Sequence, residues 1–186
     1  MYKRQALDFE PDNRFARFDY MNVLYRRQKY EQALVEAERL LQLEPDSAQY
    51  LTGYANQCVA VGRFDEALKI YDEVLARFPE TAPLHLLRGH ALKTVGRTDE
   101  AIDAYRQTYR TNQNCGDAYW SLANLKTFRF ADSEVDAMQR KESEADLEVD
   151  DRVHFCFALG KHFEDQKDYA TSFDLSLIHI SEPPRR

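Results

Sequence analysis

The polar side chains best suited to bind another molecule recur at one fixed interval along the sequence. An amide or an imidazole stands every 34 residues, at Asn22, Asn56, His90 and Asn124. The asparagine amide can donate and accept hydrogen bonds at the same time. If these side chains lie along one surface, they can hold the backbone of an extended peptide without selecting its side chains.

Nearby residues would add apolar and charged contacts to such a surface. Phe18, Trp120 and Phe128 offer aromatic faces for apolar parts of a peptide. Arg26 and Lys93 could bind carboxylates through charge-assisted hydrogen bonds. The sequence therefore predicts a peptide-binding surface made of amides, aromatic rings and two cations.

The sequence shows no arrangement typical of catalysis or of metal binding. His85 and His90 are five residues apart, so they do not share a helix face as metal ligands at i and i+4 would. We interpret these two, and also His154 and His162, as structural or surface histidines. There is no glycine-rich phosphate loop, nucleophile elbow or Cys-x-x-Cys pair. We expect no catalytic residue, metal site or cofactor site in this chain.

The charge balance limits the class of partner. The chain has 25 Lys and Arg against 32 Asp and Glu, a net charge of -7, whereas nucleic-acid and anionic-membrane binders normally present a basic face. No apolar run approaches the roughly 20 residues of a membrane span. Cys58, Cys115 and Cys156 are few and far apart, which is typical of reduced, packed thiols. We expect a protein or peptide partner, no nucleic acid or membrane, and a cytoplasmic location.

The elements that would position these side chains repeat with the same period of 34 residues. Apolar residues within each period recur every three or four positions, which indicates two amphipathic helices per unit. The recurring residues are Pro11, Pro45 and Pro79, then Ala33, Ala67 and Ala101, and also Gly62 and Gly96. The expected first helices are 14–27, 48–61, 82–95 and 116–129, and the expected second helices are 30–42, 64–77 and 98–111.

Local signals agree with helix pairs. Gly62 and Gly96 stand at the turn between paired helices, where we expect a left-handed backbone conformation. Ser47 and Thr81 are candidate caps for the helix that follows each proline. Small residues recur where two helix axes would approach closely, and larger residues would fill the space beside them. The small-residue positions are Met21, Ala55, Gly89 and Ala123 in the first helices, and Ala33, Ala67 and Ala101 in the second.

This pattern resembles the tetratricopeptide repeat over about residues 1–129. Small residues at repeat positions 8 and 20, Tyr71 and Tyr105 at position 24, and the proline at position 32 all match. The departures are Ala37, Gln113 and Arg88, which replace an aromatic residue, a proline and an apolar residue respectively.

The resemblance implies an all-α fold, a TPR-type α-solenoid of antiparallel helix pairs in a right-handed superhelix. Its first helices would line the concave face and bind a protein or peptide there. Asparagine is common at repeat position 9 in this family. The alternative interpretation is therefore that the asparagine row is inherited and binds nothing here.

The ends of the array are expected to be irregular. Residues 1–11 match the second helix of a partial repeat, so we expect further sequence upstream. Tandem units follow over 12–130 (about 14–47, 48–81, 82–115, and 116–130 onward). Residues 131–174 predict a helical continuation with a degenerate repeat, containing helices at 132–144 and 152–165 and an acidic connection between them. Residues 175–180 are β-prone, and residues 175–183 match a translated transposon-end adapter, from which Pro184 and the final arginines depart. We interpret residues 175–186 as a non-native tail, and the alternative is a genuine flexible tail.

Four strings resemble a narrower family, the bacterial tetratricopeptide proteins that carry a C-terminal sulfotransferase domain. These strings are 89–97, 114–130, 152–161 and 168–173. The resemblance implies a parent protein that transfers sulfate from the donor PAPS to an acceptor, for which a protein tyrosine is one candidate. The donor-binding loop of that family has no counterpart here, so PAPS is expected only in a catalytic domain outside this chain. The alternative is a stand-alone adaptor without enzymatic activity.

Overall fold

The computed structural model describes residues 13–181, and their side chains as far as residue 177. All regular structure in this range is α-helical, with ten helices. They are α1 (Arg14–Arg26), α2 (Tyr30–Leu43), α3 (Ala48–Ala60), α4 (Phe64–Arg77), α5 (Ala82–Thr94), α6 (Thr98–Thr111), α7 (Gly116–Ala123), α8 (Asp132–Glu142), α9 (Val149–Asp165) and α10 (Tyr169–Ser181).

The chain forms two compact units, the first ending at Ala101 and the second beginning at Ile102. Helix α6 spans this boundary. In the described part of the chain, each helix is too short or too polar to cross a membrane. The partial repeat predicted at 1–11 lies outside the described residues.

The helices of the array begin at the residues that the 34-residue period predicts. From α1 to α6, each observed end lies within one residue of the predicted end. The turns between paired helices also agree with the sequence. Gly62 and Gly96 have φ angles of +83° and +81°, and Gln28 adopts +58° at the same place in the first pair. Lys167, in the corresponding turn between α9 and α10, has a φ of +66°.

The small residues of the repeat lie in the core, as predicted. Ala33, Ala67 and Ala101 are completely buried, and so is Ala55. Alanine at these points allows two helix axes to come close together, because a larger side chain would push the backbones apart. Tyr71 is 1% exposed and fills the space beside Ala67 in its repeat.

Arg88, the charged residue at a normally apolar repeat position, is held by two carboxylates of the first unit. Its Nε lies 2.6 Å from Asp72 Oδ1, and its Nη2 lies 3.9 Å from Glu100 Oε2. Gly89, the next residue, remains buried at its small-residue position. Helix α5 therefore keeps the rotation that the repeat register predicts.

The prediction that the side chains of Ser47 and Thr81 cap the helices that follow them is wrong. Both residues stand at the N-cap position, but neither side chain accepts a hydrogen bond from the helix that follows. The hydroxyl of Thr81 instead donates to the carbonyl oxygen of Phe78 at 2.9 Å, across the turn behind it. Asn13 does cap α1, because its Oδ1 accepts from Ala16 N at 3.0 Å.

The helix predicted over 116–129 ends early, at Ala123. Asn124 Nδ2 donates to the carbonyl oxygen of Trp120 at 3.0 Å, a local bond that competes with helix continuation. Tight turns follow, and Leu125 and Phe128 are both buried. Burial of these two side chains outweighs the helical pattern that the sequence showed. Helix α9 likewise begins three residues earlier than predicted, at Val149.

The segment set aside as a β-prone tail is helical as far as Ser181, within α10. Leu175 packs against the core of the second unit, and α10 lies along α9. Contacts with a neighbouring helix decide the conformation here, since strand propensity is weak and depends on context. Residues 182–186 lie outside the described range. The core of this unit consists of Tyr119, Ala123, Val135, Met138, Leu147, Phe155, Ala158 and Leu159.

Candidate peptide-binding groove

A groove of about 400 Å³ lies between the first helices of three consecutive pairs, α1, α3 and α5, in the first unit. Successive lining residues on α3 are spaced at three, four and seven, so they share one helix face. The lining residues are Phe18, Met21, Asn22, Ala48, Gln49, Thr52, Gly53, Asn56, Gln57, Val74, Phe78, Thr81, Pro83, Leu84 and Leu87.

Asn22 and Asn56, two members of the predicted amide row, both line this groove. The Tyr71 hydroxyl donates to Asn56 Oδ1 at 2.7 Å. Burial raises the pKa of Tyr71 above its usual range, so the hydroxyl keeps its proton and remains a donor. Because its oxygen is engaged, Asn56 has its NH2 group left to donate.

Gln57 is a groove residue that the sequence analysis missed. Only 3% of it is exposed, and its Nε2 donates to the carbonyl oxygen of Gly53 over a long 3.4 Å. Its Oε1 is buried and makes no hydrogen bond with any described residue. A buried acceptor without a donor is costly, by about 1–3 kcal/mol. Gln57 therefore places a buried acceptor without a donor, among the described residues, in the wall of the groove.

Apolar side chains form the rest of the groove wall. Phe18 and Met21 of α1 approach α3 at Gly53, where an added Cβ would lie 3.4 Å from Met21 Cε and 3.5 Å from Phe18 Cε2. Leu84 and Leu87 contribute from α5. Such a wall can bury an apolar side chain, while the amides bind the backbone that carries it.

None of the residues that line the groove in the described part of the chain is charged. Arg26 and Lys93, predicted to bind carboxylates, are exposed and are not among the lining residues. His90 is half-buried and also stands outside the lining set. These three positions therefore do not converge with Asn22 and Asn56.

The remaining predicted site residues belong to the second unit. Asn124 is exposed, at the end of α7, with its amide bonded to Trp120. Trp120 packs on Phe157, with ring centroids 5.3 Å apart. Phe128 is buried, and its ring lies edge-on to the ring of Phe130, with the two centroids 5.0 Å apart. The two aromatic residues therefore take part in the packing of this unit.

The missed groove residues carried a signal in the sequence. Gln49, Thr52 and Gly53 precede Asn56 by seven, four and three residues. Residues at these separations share a helix face. A search along the helix face that carries Asn56 would have identified these residues. The comparison of equivalent positions in successive repeats did not.

Two family models, both described as tetratricopeptide repeat, match residues 21–82 and 59–125. Similar solved structures include MamA 41-end from Desulfovibrio magneticus RS-1, which is 16% identical with a TM-score of 0.64. That match covers 91% of this chain and 94% of that chain. None of the curated proteins compared with the chain matches it.

Two further solved structures share the fold. YrrB is 16% identical with a TM-score of 0.61, over 97% of this chain and 93% of that chain. PcrH, in complex with the chaperone binding region of PopB, is 16% identical with a TM-score of 0.50, over 54% of this chain and 81% of that one. Likeness at this level of identity establishes an α-solenoid of helix pairs.

Proposed function

Because residues 21–125 of this chain are tetratricopeptide repeats, we propose that it is a scaffold that binds an extended segment of another protein. The observation that carries the proposal is the groove between α1, α3 and α5, which combines Asn22 and Asn56 with an apolar wall. Among the similar structures, YrrB is described as a TPR protein with an unusual peptide-binding site. PcrH is described in complex with the chaperone binding region of PopB.

The groove would bind main chain and side chain by different means. The Asn56 NH2 group donates to a peptide carbonyl. Gln57 Oε1, which is buried in the free chain, accepts from a peptide N–H or from a bridging water once its side chain turns toward the groove. Phe18, Leu84 and Leu87 surround an apolar side chain of the same segment. A peptide bound in this way needs an extended backbone and an apolar anchor.

The proposal is tested with peptides selected from a random library on the full chain, followed by fluorescence anisotropy on variants. We expect the double variant Asn22→Ala/Asn56→Ala to weaken binding at least about tenfold, since each lost hydrogen bond contributes about 0.5–1.5 kcal/mol. Asn124→Ala is the matched control. It removes the same amide from the repeat position that lies outside the groove.

A control must show that weaker peptide binding by the asparagine variant does not come from a loss of folded protein. Tyr71→Phe removes the hydroxyl that holds Asn56 and serves as a stability control, because Asn56→Ala also leaves that hydroxyl without its acceptor. Equal binding by the wild type and the asparagine double variant, with both fully helical, would refute the groove as the peptide site. An equal loss in Asn124→Ala would refute it as well.

A second candidate function rests on the four sulfotransferase-like strings. We propose on that basis that the repeats are the non-catalytic N-terminal part of a bacterial, cytoplasmic PAPS-dependent sulfotransferase and recruit its acceptor, such as a protein tyrosine. The family matches concern the repeats alone. The free thiols at Cys58, Cys115 and Cys156 suit a reducing compartment.

The uninterrupted reading frame decides between this candidate and a stand-alone adaptor. A downstream strand followed by a phosphate-binding loop would support the sulfotransferase, and a stop codon would support the adaptor. Residues 1–186 incubated with labelled PAPS should transfer no sulfate. Measurable turnover would contradict the assignment of catalysis to another domain.

A further inference from the structure

The second unit contains a cavity of about 430 Å³ that the proposed function does not use. It lies between the C-terminal end of α6 and one face of α8, and a tyrosine of α7 reaches it. Its lining is mainly basic and aromatic. The lining residues are Tyr109, Arg110, Gln113, Tyr119, Ala137, Arg140, Lys141 and Glu144.

Two guanidinium groups at this cavity have no partner in the part of the chain that the structure describes. Arg110 and Arg140 make no ion pair or hydrogen bond with any residue the structure describes. Lys141 is different, because its Nζ lies 3.0 Å from Glu144 Oε1. The four charged side chains sum to +2 in a chain whose net charge is -7. Positive charge is therefore concentrated at this cavity, although the net charge of the protein is negative.

The Tyr119 side chain is mostly buried, and its hydroxyl has no hydrogen-bond partner among the described residues. Only 4% of this residue is exposed, yet it lines the cavity. Its ring stacks on Tyr109, with centroids 4.5 Å apart and planes 15° apart. The Tyr109 hydroxyl donates to Glu134 Oε1 at 2.5 Å, whereas the Tyr119 hydroxyl makes no hydrogen bond within the described range.

The Tyr119 hydroxyl is available as a donor. Burial raises the pKa of Tyr119 to about 12, so the group keeps its proton at neutral pH. The hydroxyl can therefore donate to an acceptor on a ligand bound in the cavity.

We propose that this cavity binds a phosphate monoester. A phosphoryl group carries a charge of about −1.5 to −2 at pH 7, which matches the local charge of the cavity. The guanidinium group of an arginine binds two phosphate oxygens with a pair of N–H donors, and the Tyr119 hydroxyl can donate to a further oxygen. A carboxylate would neutralise only half of the local charge. The stacked tyrosine rings offer a surface for the organic part of the ester.

Such a group can belong to a small metabolite or to a phosphorylated side chain of a partner. Isothermal titration of the full chain with inorganic phosphate, phenyl phosphate and a matched pair of phosphorylated and unphosphorylated peptides distinguishes these sources. We expect phenyl phosphate to bind more tightly than inorganic phosphate. Tighter binding of the phosphopeptide than of phenyl phosphate would identify a protein ligand, and the reverse would identify a small molecule.

Variants locate the binding within the chain. Arg110→Gln/Arg140→Gln should weaken phenyl phosphate binding at least about tenfold, as expected for the loss of charge-assisted bonds. Tyr119→Phe, which removes one oxygen, should weaken it about threefold or more without lowering Tm. Arg26→Gln/Arg27→Gln removes the same charge from exposed positions outside the cavity and should bind like the wild type.

Three results would overturn the phosphate site. The first is no heat of binding for phenyl phosphate at low ionic strength. The second is an equal loss in the two arginine double variants, which would indicate a general charge effect. The third is acetate binding as tight as phosphate. Peptide binding in the α1, α3 and α5 groove is measured separately, so either proposal can fail alone.

Discussion

The carboxylate of Asp151 accepts a hydrogen bond from the backbone N–H of Gly116, with Oδ1 lying 2.9 Å from N, although 35 residues separate the two. The bond satisfies one of the amides at the N-terminus of α7, and it places a negative charge at the positive end of the helix dipole. Helices α7 and α9 can approach so closely because residue 116 has no side chain. An added Cβ would lie 2.3 Å from the carbonyl oxygen of Asp151.

Gly116→Ala should therefore destabilise the second unit. The clash is with backbone, which cannot rotate away, so we expect a loss of about 1–3 kcal/mol or more in the free energy of unfolding. Gly160→Ala is the matched control in α9. Its added Cβ would make only an ordinary contact, 3.6 Å from the Ser172 carbonyl oxygen. Urea denaturation checks both variants, and equal midpoints would contradict the close approach.

The array could be predicted from the sequence because each helix start carries several independent signals in one register. Ala67 fixes the buried face, Gly62 fixes the turn, and Pro79 falls just after α4. The early end of α7 was not predictable in this way. It accompanies the burial of Leu125 and Phe128, and the Arg106 guanidinium lies 5.4 Å from the centre of the Phe128 ring. Local periodicity contains no information about such a contact.

The candidate groove could be predicted only in part. The repeat interval identified Asn22 and Asn56 as equivalent, but it also grouped them with Asn124, which ends a shortened helix. Nor does sequence spacing reveal that Tyr71 engages the oxygen of Asn56 or that Gln57 lacks a donor. Such facts depend on side-chain positions fixed by packing.

A buried ion pair between α1 and α2 gives a second prediction. Arg17 and Glu36 are 8% and 7% exposed, and Arg17 Nη1 contacts Glu36 Oε2. Arg39 also reaches the same carboxylate, with 2.8 Å between Nη1 and Oε1. Glu36→Ala leaves the buried Arg17 charge without this partner and should cost about 3–5 kcal/mol in unfolding free energy.

A double variant isolates the cause of that loss. Arg17→Met/Glu36→Leu removes both buried charges together and should recover most of the stability, since apolar replacements of buried pairs are often neutral or stabilising. Thermal unfolding of the two variants beside the wild type makes the comparison. If the double variant is no more stable than Glu36→Ala, the loss comes from packing and the electrostatic explanation is wrong.

His162 should make the stability of the second unit depend on pH. Burial lowers its pKa, while Asp165 and Asp132 act in the opposite direction. The neutral ring contacts Phe130 and Phe163. Because its pKa is lower in the folded state, the unfolded chain binds the proton more readily. The stabilising contribution is thus present above the unfolded pKa of about 6.5 and is lost as the pH falls through the folded value.

We therefore expect His162→Gln to reduce the drop in Tm between about pH 7.5 and about pH 5.5, the range in which histidine titrates. The exposed Gln32→His variant is a control for an added surface histidine and should leave the dependence unchanged. Proton release measured by NMR titration of the His162 ring checks the direction directly. A pKa at or above the usual histidine value would contradict the prediction.

A substitution of Gln57 should affect the stability of the chain and its peptide binding in opposite directions. Its buried Oε1 has no donor among the described residues, and its one hydrogen bond, to the Gly53 carbonyl oxygen, is long at 3.4 Å.

Gln57→Met keeps the length of the side chain and removes the unsatisfied acceptor. We expect the free chain to be as stable as the wild type or more stable, by up to about 1 kcal/mol. Peptide binding in the groove should weaken, because the acceptor for a peptide N–H has gone. Chemical denaturation and anisotropy on the same protein measure both effects, with Gln42→Met, at an exposed glutamine of α2 outside the groove, as the control. If Gln57→Met lowers stability and binding together, the amide is an ordinary structural group. If it raises stability and leaves binding intact, the acceptor does not contact the peptide.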